Sequence, residues 1–203
     1  FDLSSGQSTP TTSITLPCGP TAVSPDRSLC AVYDAESGCQ LVRLSPLLTS
    51  RALAAAGKPV WNGFSRDNRF LLCHPPSATS ERANTVRELR VIDTANGRVV
   101  SQVRIAFAEG VNDIFCAALS PGGDLVAAAE GDAVAVRRVD TGEVVWRRTV
   151  KARGLALAAG GDVVLAFSDA GGESVLSSWE LSTGKSLGLS RFRGLALQLE
   201  SAT

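Results

Sequence analysis

The chain has 203 residues, of which 44% are hydrophobic and 20% charged, and this composition is typical of a folded domain and not of a disordered tail. Lys and Arg total 20 and Asp and Glu total 20, so no net positive charge favours nucleic-acid or anionic-membrane binding. The longest apolar runs, such as Gly154 to Ala159, are far shorter than the roughly 20 residues of a membrane span.

The chain begins with the end of a repeating pattern. Phe1 to Gly6 reads FDLSSG, which matches the turn sequences that close later units. Ser13 to Leu16 is a candidate strand, and Pro17-Cys18-Gly19-Pro20 breaks the pattern before the next unit. Residue 1 is Phe and the chain has no Met, so we expect it to be an excised or processed piece of a longer protein.

The first two complete units differ in their connections. In the first, AVSPDRSLCAVY (Ala22 to Tyr33) and Cys39 to Leu44 predict strands, and Leu47 to Ala56 predicts a loop and strand in place of a helix. The second contains GFSRDNRFLLC (Gly63 to Cys73) and a last strand at Arg98 to Phe107. Between them lies a polar, Pro-rich insertion, His74 to Val86, which predicts an exposed loop.

The third unit is the clearest copy. Leu119 to Trp146 reads LSPGGDLVAAAEGDAVAVRRVDTGEVVW, with turn sequences SPGG, EGD and DTG between short apolar strands. The fourth unit has strands in Leu155 to Phe167, a turn at Ser168 to Ser174 and further strands to Phe192. Arg193 to Glu200 restarts a first strand.

The units repeat with the period of a β-propeller. The turn positions Ser24, Ser65, Ser120 and Ala158 are 41, 55 and 38 residues apart, and the longest spacing contains the insertion. We therefore predict an all-β propeller segment of four-stranded antiparallel blades, with about four full blades and partial blades at both ends. The predicted divisions of this one domain are 1–17 (end of a preceding blade), 18–57, 58–108 with insertion 74–86, 109–150, 151–192, and 193–203 (start of the next blade).

The turns and closures resemble those of WD-repeat propellers and their quinoprotein-like relatives. The carriers are the SPDR, SRDN, SPGG and AAGG turns and the closures FDLSSG, VIDTANG and WELSTG, which look like the family's Trp-Asp-x-x-Thr-Gly ending. Phe1, Ile92, Val139 and Trp179 are expected at or near the Trp position. The segment VDTGEVVWRR (Val139 to Arg148) also resembles the tryptophan-docking closure of quinoprotein propellers, although Arg138 stands where their Asp would be.

The sequence shows no convergent set of catalytic groups. Gly184-Lys185-Ser186 lacks the rest of a phosphate loop, and His74 is interpreted as a solvent-exposed loop residue. Asp132 and Asp169 are interpreted as residues of hairpin turns. The five cysteines form no CxxC pair, so we expect buried thiols in a reduced, intracellular and cytoplasmic location, with no metal and no cofactor.

These features predict a non-catalytic protein–protein interaction scaffold. The resemblance implies a divergent WD-repeat module, of the kind carried by large intracellular scaffolds such as NACHT and WD-repeat proteins. The expected partners are proteins, and further blades of the same parent chain or of another copy, without nucleic acid or membrane. The predicted contact residues are Asn62, Asn112, Asp113 and Arg153 in the loops into the first strands, with Arg147 and Arg148 in a basic group. The alternative is a portion of a quinoprotein-like propeller enzyme whose active-site residues lie largely outside this segment.

Overall fold

The structure consists of β-strands joined by turns. The computed structural model describes residues 22–34, 36–44, 49–54, 59–74, 86–106, 117–158, 160–170 and 172–193. Every regular element in these ranges is a strand, and none of them contains a helix long and apolar enough to cross a membrane. The predicted all-β class is confirmed, whereas the partial blades at the two ends of the chain lie outside the described residues.

The sixteen described strands form four antiparallel sheets of four strands, each ordered first to fourth along the chain. We call these sheets blades 1 to 4. Blade 1 contains β1 (Ala22–Val23), β2 (Leu29–Asp34), β3 (Gly38–Arg43) and β4 (Thr49–Ala52). Blade 2 contains β5 (Val60–Phe64), β6 (Phe70–His74), β7 (Val86–Asp93) and β8 (Val99–Ala106). Blade 3 contains β9 (Ala117–Leu119), β10 (Leu125–Glu130), β11 (Ala133–Arg138) and β12 (Val144–Thr149). Blade 4 contains β13 (Gly154–Leu157), β14 (Val163–Ala170), β15 (Glu173–Glu180) and β16 (Ser186–Arg193).

The turns between first and second strands follow from a buried serine. Ser24, Ser65 and Ser120 each accept a hydrogen bond at Oγ from the backbone N–H five residues later, at 2.9 Å in all three blades. Each hydroxyl also donates to an aspartate within the same turn, at 2.6–2.7 Å. The hydroxyl thus satisfies a backbone donor where the chain reverses, which explains the SPDR, SRDN and SPGG sequences.

The closing turns between third and fourth strands share one backbone geometry. The N–H of Gly97, Gly142 and Gly184 donates to the carbonyl four residues earlier, at 2.7, 2.9 and 2.8 Å. Counting back five residues from each glycine places Ile92, Arg137 and Trp179 at equivalent positions. The position equivalent to Trp179 in blade 3 is therefore Arg137, and Val139, which is expected at or near it, lies two residues further on. The Asp-Thr pair that suggests Val139 sits two residues further along the turn in blade 3 than in blade 2.

The core lies between the blades. In blade 2, successive residues of a strand point to opposite neighbours. Leu71 and Cys73 pack with buried residues of blade 1, whereas Leu72 and Leu89 belong to a cluster that continues through blades 3 and 4. The first strands contact one another in succession, β1 with β5, β5 with β9, and β9 with β13. Each sheet therefore buries its apolar faces against its neighbours, as the repeat pattern requires.

Two local predictions are wrong. His74 is not a solvent-exposed loop residue: it is 1% exposed at the end of β6, where it pairs with Val60. Asp169 is not in a turn either, since β14 continues to Ala170 and Asp169 pairs with Ser174 of β15. In both places the strand ladder extends further than the turn-forming residues in the sequence suggested.

Three of the five cysteines lie in the described residues, and they are buried as expected. Cys30, Cys39 and Cys73 are 1%, 4% and 0% exposed and form no disulfide bond. Cys18 and Cys116 lie outside the described residues.

Candidate protein-interaction surfaces

Because the strands of each blade are antiparallel, their connections lie at two opposite ends of the sheet, which we call the loop face and the turn face. The loop face carries the loops into the first strands and the hairpins between second and third strands. The turn face carries the turns between first and second strands and the closing turns. Side chains on these faces are held by the sheets behind them, so each face can present a fixed set of contacts.

Among the four contact residues predicted in the loops into the first strands, the structure locates one side chain. Asn112 and Asp113 lie outside the described residues, and Asn62 belongs to β5 but its side chain is not described. Arg153 precedes β13 on the loop face, and its guanidinium is largely exposed. Its Nη1 lies 2.9 Å from Oδ2 of Asp169 in the same blade, so the two side chains form a surface ion pair.

The two arginines of β12 differ in their contacts. Arg147 is exposed and lies 3.6 Å from Asp132, which is itself 78% exposed. Arg148 instead donates from Nε and Nη2 to the carbonyl oxygen of Gly184 in blade 4, at 3.1 and 2.9 Å. Arg147 is thus available to a partner, whereas Arg148 already holds two blades together. A partner-binding role for either residue stays a prediction.

The other basic residues of blade 3 are also paired. Arg137 makes two hydrogen bonds to the buried carboxylate of Glu130, at 2.6 and 2.9 Å, and a third to Gly142 O at 3.0 Å. Its hydrogen bond to Glu130 raises the pKa of the guanidinium, and burial opposes that effect. Arg138 pairs with Asp140, whose pKa it lowers. The basic group is therefore largely neutralised and is not an open positive patch.

A tryptophan joins blades 3 and 4 on the turn face. The indole Nε1 of Trp146 donates to the carbonyl of Leu181 at 2.6 Å, and Trp146 is 6% exposed. Its ring lies so close to Gly184 that a Cβ there would be 2.7 Å from Cγ and Cδ2 of the indole. Trp146 also contacts Trp179 of blade 4, with ring centroids 6.2 Å apart. Trp146 lies in the segment VDTGEVVWRR, for which the sequence predicts no particular partner, and its partners Leu181, Gly184 and Trp179 all belong to blade 4.

Two grooves open between blades on the same face. The groove between blades 1 and 2 has a volume of about 690 Å³ and is polar, with Arg43, Arg51 and Asp67 among its walls. The groove between blades 2 and 3 has a volume of about 370 Å³ and includes Phe70 and Val139. Both volumes fall within or near the range of about 300–1,000 Å³ found for ligand pockets.

The sequence interpretation missed Ser101. Ser101 follows the closing glycine of blade 2 by four residues, as Trp146 follows the closing glycine of blade 3. Its hydroxyl donates to the carbonyl of Val139, the residue equivalent to Leu181. The residue four places after each closing glycine can be read from the sequence, and this comparison shows that blade 2 has a serine where blade 3 has Trp146.

The described thiols are not placed for nucleophilic chemistry. Burial raises the pKa of the Cys73 thiol to about 12, so the thiolate is scarce near neutral pH. Burial also raises the pKa of Cys30 and Cys39. Within the described ranges, no group of three or more His, Cys, Asp or Glu side chains is positioned to hold a metal ion.

Comparison with known proteins identifies the fold and no family. No protein-family model matches the sequence, and no curated protein matches it. The chain is similar to the hydrazine synthase structure of Kuenenia stuttgartiensis, with a TM-score of 0.58 and 17% identity over 93% of this chain and 53% of that one. It is also similar to a eukaryotic initiation factor structure, with a TM-score of 0.57 and 18% identity over 89% of this chain and 45% of that one. The chain spans about half the length of these structures, which are propeller-type proteins, and the likeness supports a β-propeller segment.

Proposed function

We propose that the chain is part of a non-catalytic protein–protein interaction scaffold built from WD-like repeats within a larger protein. The observation that carries this proposal is the stack of four sheets with shared buried cores. The stack holds the exposed loops of the loop face and the exposed turns of the turn face in fixed positions. A large intracellular scaffold such as a NACHT and WD-repeat protein would carry such blades. Cys30, Cys39 and Cys73 are buried and form no disulfide bond, which supports a reducing, cytoplasmic location.

The pKa shifts of the described charged residues have structural causes. Perturbed pKa values cluster at functional sites, and ion pairs that belong to the fold perturb pKa values as well. Here the lowered pKa of Asp26 follows from backbone and Ser24 hydrogen bonds within its own turn, and that of Asp140 follows from Arg138. The raised pKa of Arg137 follows from its structural pair with Glu130. These shifts belong to turns and ion pairs of the fold.

Affinity measurements on the full-length protein test the proposal. The protein is used to capture partners, and each captured partner is then titrated against wild type and an Arg147→Glu, Arg153→Glu double variant on the loop face. We expect at least tenfold weaker binding by the double variant, since both arginines are exposed. Arg104→Glu on β8 is the matched control, because Arg104 is an exposed arginine of an outer strand remote from blade 4. Equal affinity for all three proteins, or capture of no partner at all, would overturn the proposal.

Further blades are proposed as a second class of partner. Val163, Leu165 and Phe167 alternate with the buried residues Val164 and Ala166 along β14 and are only half-buried. A blade of the same parent chain, or of another copy, would cover this apolar face. Light scattering on the 203-residue chain should show self-association, and a stable monomer would contradict this part of the proposal.

The Trp146 contact favours one second candidate function. Its geometry matches the resemblance to the tryptophan-docking closure of quinoprotein propellers, so the chain would then be a portion of a propeller enzyme whose active-site residues lie outside this segment. Native mass spectrometry of the full-length protein distinguishes the two functions. A small-molecule ligand retained in stoichiometric amount favours the enzyme, and its absence together with a captured protein partner favours the scaffold.

A further inference from the structure

At one position of the fourth strand, each blade has a different amino acid. This position pairs with the residue two places before the end of the third strand. Its occupants are Arg51 in blade 1, Ser101 in blade 2, Trp146 in blade 3 and Gly188 in blade 4. In blades 2, 3 and 4 it also follows the closing glycine by four residues. The four residues are therefore structurally equivalent, and the first three face the closing turn of the next blade.

The side chain at this position decides whether the next closing glycine is covered. Arg51 covers Gly97, since its Cδ lies 3.4 Å from where a Cβ of that glycine would stand. Trp146 covers Gly184 at 2.7 Å. A Cβ placed on Gly142 would have no heavy atom of the described residues within 4 Å, apart from atoms of the two residues next to it in the chain. Ser101 is too short to reach it, so the junction of blades 2 and 3 lacks the covering side chain that the other two junctions have.

Ser101 lines the groove of about 370 Å³, together with Val139 and Asp140 of the closing turn that ends at Gly142. Its walls combine apolar groups, among them Phe70 and the 49% exposed Val100, with charged side chains of both signs. These are Arg69, Arg138, Asp93, Asp124 and Asp140. A groove with an apolar floor and a charged rim suits a side chain that is apolar with a polar tip.

We propose that this groove binds an indole or similar large aromatic side chain presented by a protein partner. The closing glycine has nearly the same backbone conformation at both junctions, with φ of +72° for Gly142 and +68° for Gly184. Trp146 lies against the point where a Cβ of Gly184 would stand, and at Gly142 no side chain of the described residues, apart from the two chain neighbours, comes within 4 Å of that point. The carbonyl of Val139 accepts from Ser101, as that of Leu181 accepts from Trp146, and a carbonyl oxygen can accept a second donor. Of the two covered junctions, the one beside the polar groove of blades 1 and 2 holds Arg51, and the other holds Trp146. The apolar walls formed here by Phe70 and Val100 favour an aromatic side chain over a second arginine.

This inference rests on the proposed scaffold function and adds a docking surface on the turn face, opposite the loop face. Val100, which is 49% exposed, lines the groove, and its equivalent Val145 precedes Trp146 in blade 3 and is 41% exposed.

The test is a two-dimensional ¹H–¹⁵N NMR titration of the 203-residue chain with N-acetyl-L-tryptophanamide. We expect saturable shifts of the Gly142 and Gly123 amides at millimolar probe, because a single aromatic group buries only about 150–250 Å². Ser101→Trp fills the groove from within and should weaken probe binding at least tenfold while raising the urea midpoint of unfolding. Ser101→Ala leaves the groove open and is the matched control that should bind as wild type.

Val100→Glu keeps the test decisive if Ser101→Trp does not fold, because Val100 is half-exposed and a charge there blocks the mouth of the groove. Absence of saturable shifts, or unchanged binding in both blocked variants, overturns the inference, and so does equal affinity for N-acetyl-L-leucinamide. Partner capture by the full-length protein is measured separately. If partners still bind while the probe does not, the groove inference fails and the scaffold proposal stands; if the probe binds and no partner is captured, the scaffold proposal fails.

Discussion

Trp146 should contribute more to stability than any other side chain of the blade 3 outer strand. Trp146→Ala removes a side chain that is 6% exposed and leaves a cavity between blades 3 and 4. Large-to-small replacements of buried aromatic residues cost about 3–5 kcal/mol. The variant also leaves the carbonyl of Leu181 without its indole donor, which lies 2.6 Å away in the wild type. We therefore expect the free energy of unfolding to fall by about 3–5 kcal/mol.

Two further variants separate the contributions. Trp146→Phe keeps most of the ring and loses the N–H donor, so its cost should be about 1–2 kcal/mol. Val145→Ala changes the neighbouring side chain, which is 41% exposed, and should cost less than about 1 kcal/mol. Urea unfolding followed by far-ultraviolet circular dichroism measures all three. A loss for Trp146→Ala within 1 kcal/mol of that for Val145→Ala would refute the claim that this indole joins the two blades.

Three other variants or conditions test the fold. Gly123→Ala should lower the free energy of unfolding by about 2–4 kcal/mol, because φ is +73° and a Cβ would stand 2.1 Å from the Phe70 ring; an unchanged urea midpoint would contradict this. Glu130→Gln should cost about 3 kcal/mol in the same assay, since it leaves the partly buried Arg137 guanidinium without its counter-charge, and a neutral effect would show that the pair is dispensable. Cys73 has a raised pKa, so its contribution to stability is full below the unfolded value of about 9 and is lost as pH rises toward about 12, by up to about 1.4 kcal/mol per pH unit. Urea midpoints between pH 8 and 10 should show this slope in wild type and less of it in Cys73→Ala.

The strands and turns were readable because their determinants are local. Ser-Pro-Gly-Gly and Asp-Thr-Gly specify chain reversals through backbone conformation. The short apolar runs that contain Val126 and Val136 are typical of strands buried on both faces. The ends of the ladders were less predictable. His74 and Asp169 are polar, and only pairing with Val60 and Ser174 keeps them in strands, which is a contact between segments and not a property of either residue.

The candidate surfaces could be predicted from the sequence only in part. The segment VDTGEVVWRR resembles a tryptophan-docking closure, but its partners Leu181 and Gly184 lie in the next blade and could not be identified from the segment itself. The roles of Arg137 and Arg148 could not be predicted either, since their partners Glu130 and Gly184 lie 7 and 36 residues away in the sequence. The uncovered Gly142 is a relation between two blades, so no single repeat reveals it.

The structure of the full-length protein bound to a captured partner, determined by electron cryomicroscopy, tests the scaffold account most directly. The account predicts protein contacts on the loop face around Arg153, with an aromatic side chain of the partner lying over Gly142 in the groove between blades 2 and 3. A partner that touches neither face of these blades, or a small-molecule substrate held by converging catalytic groups on the propeller axis, would contradict it.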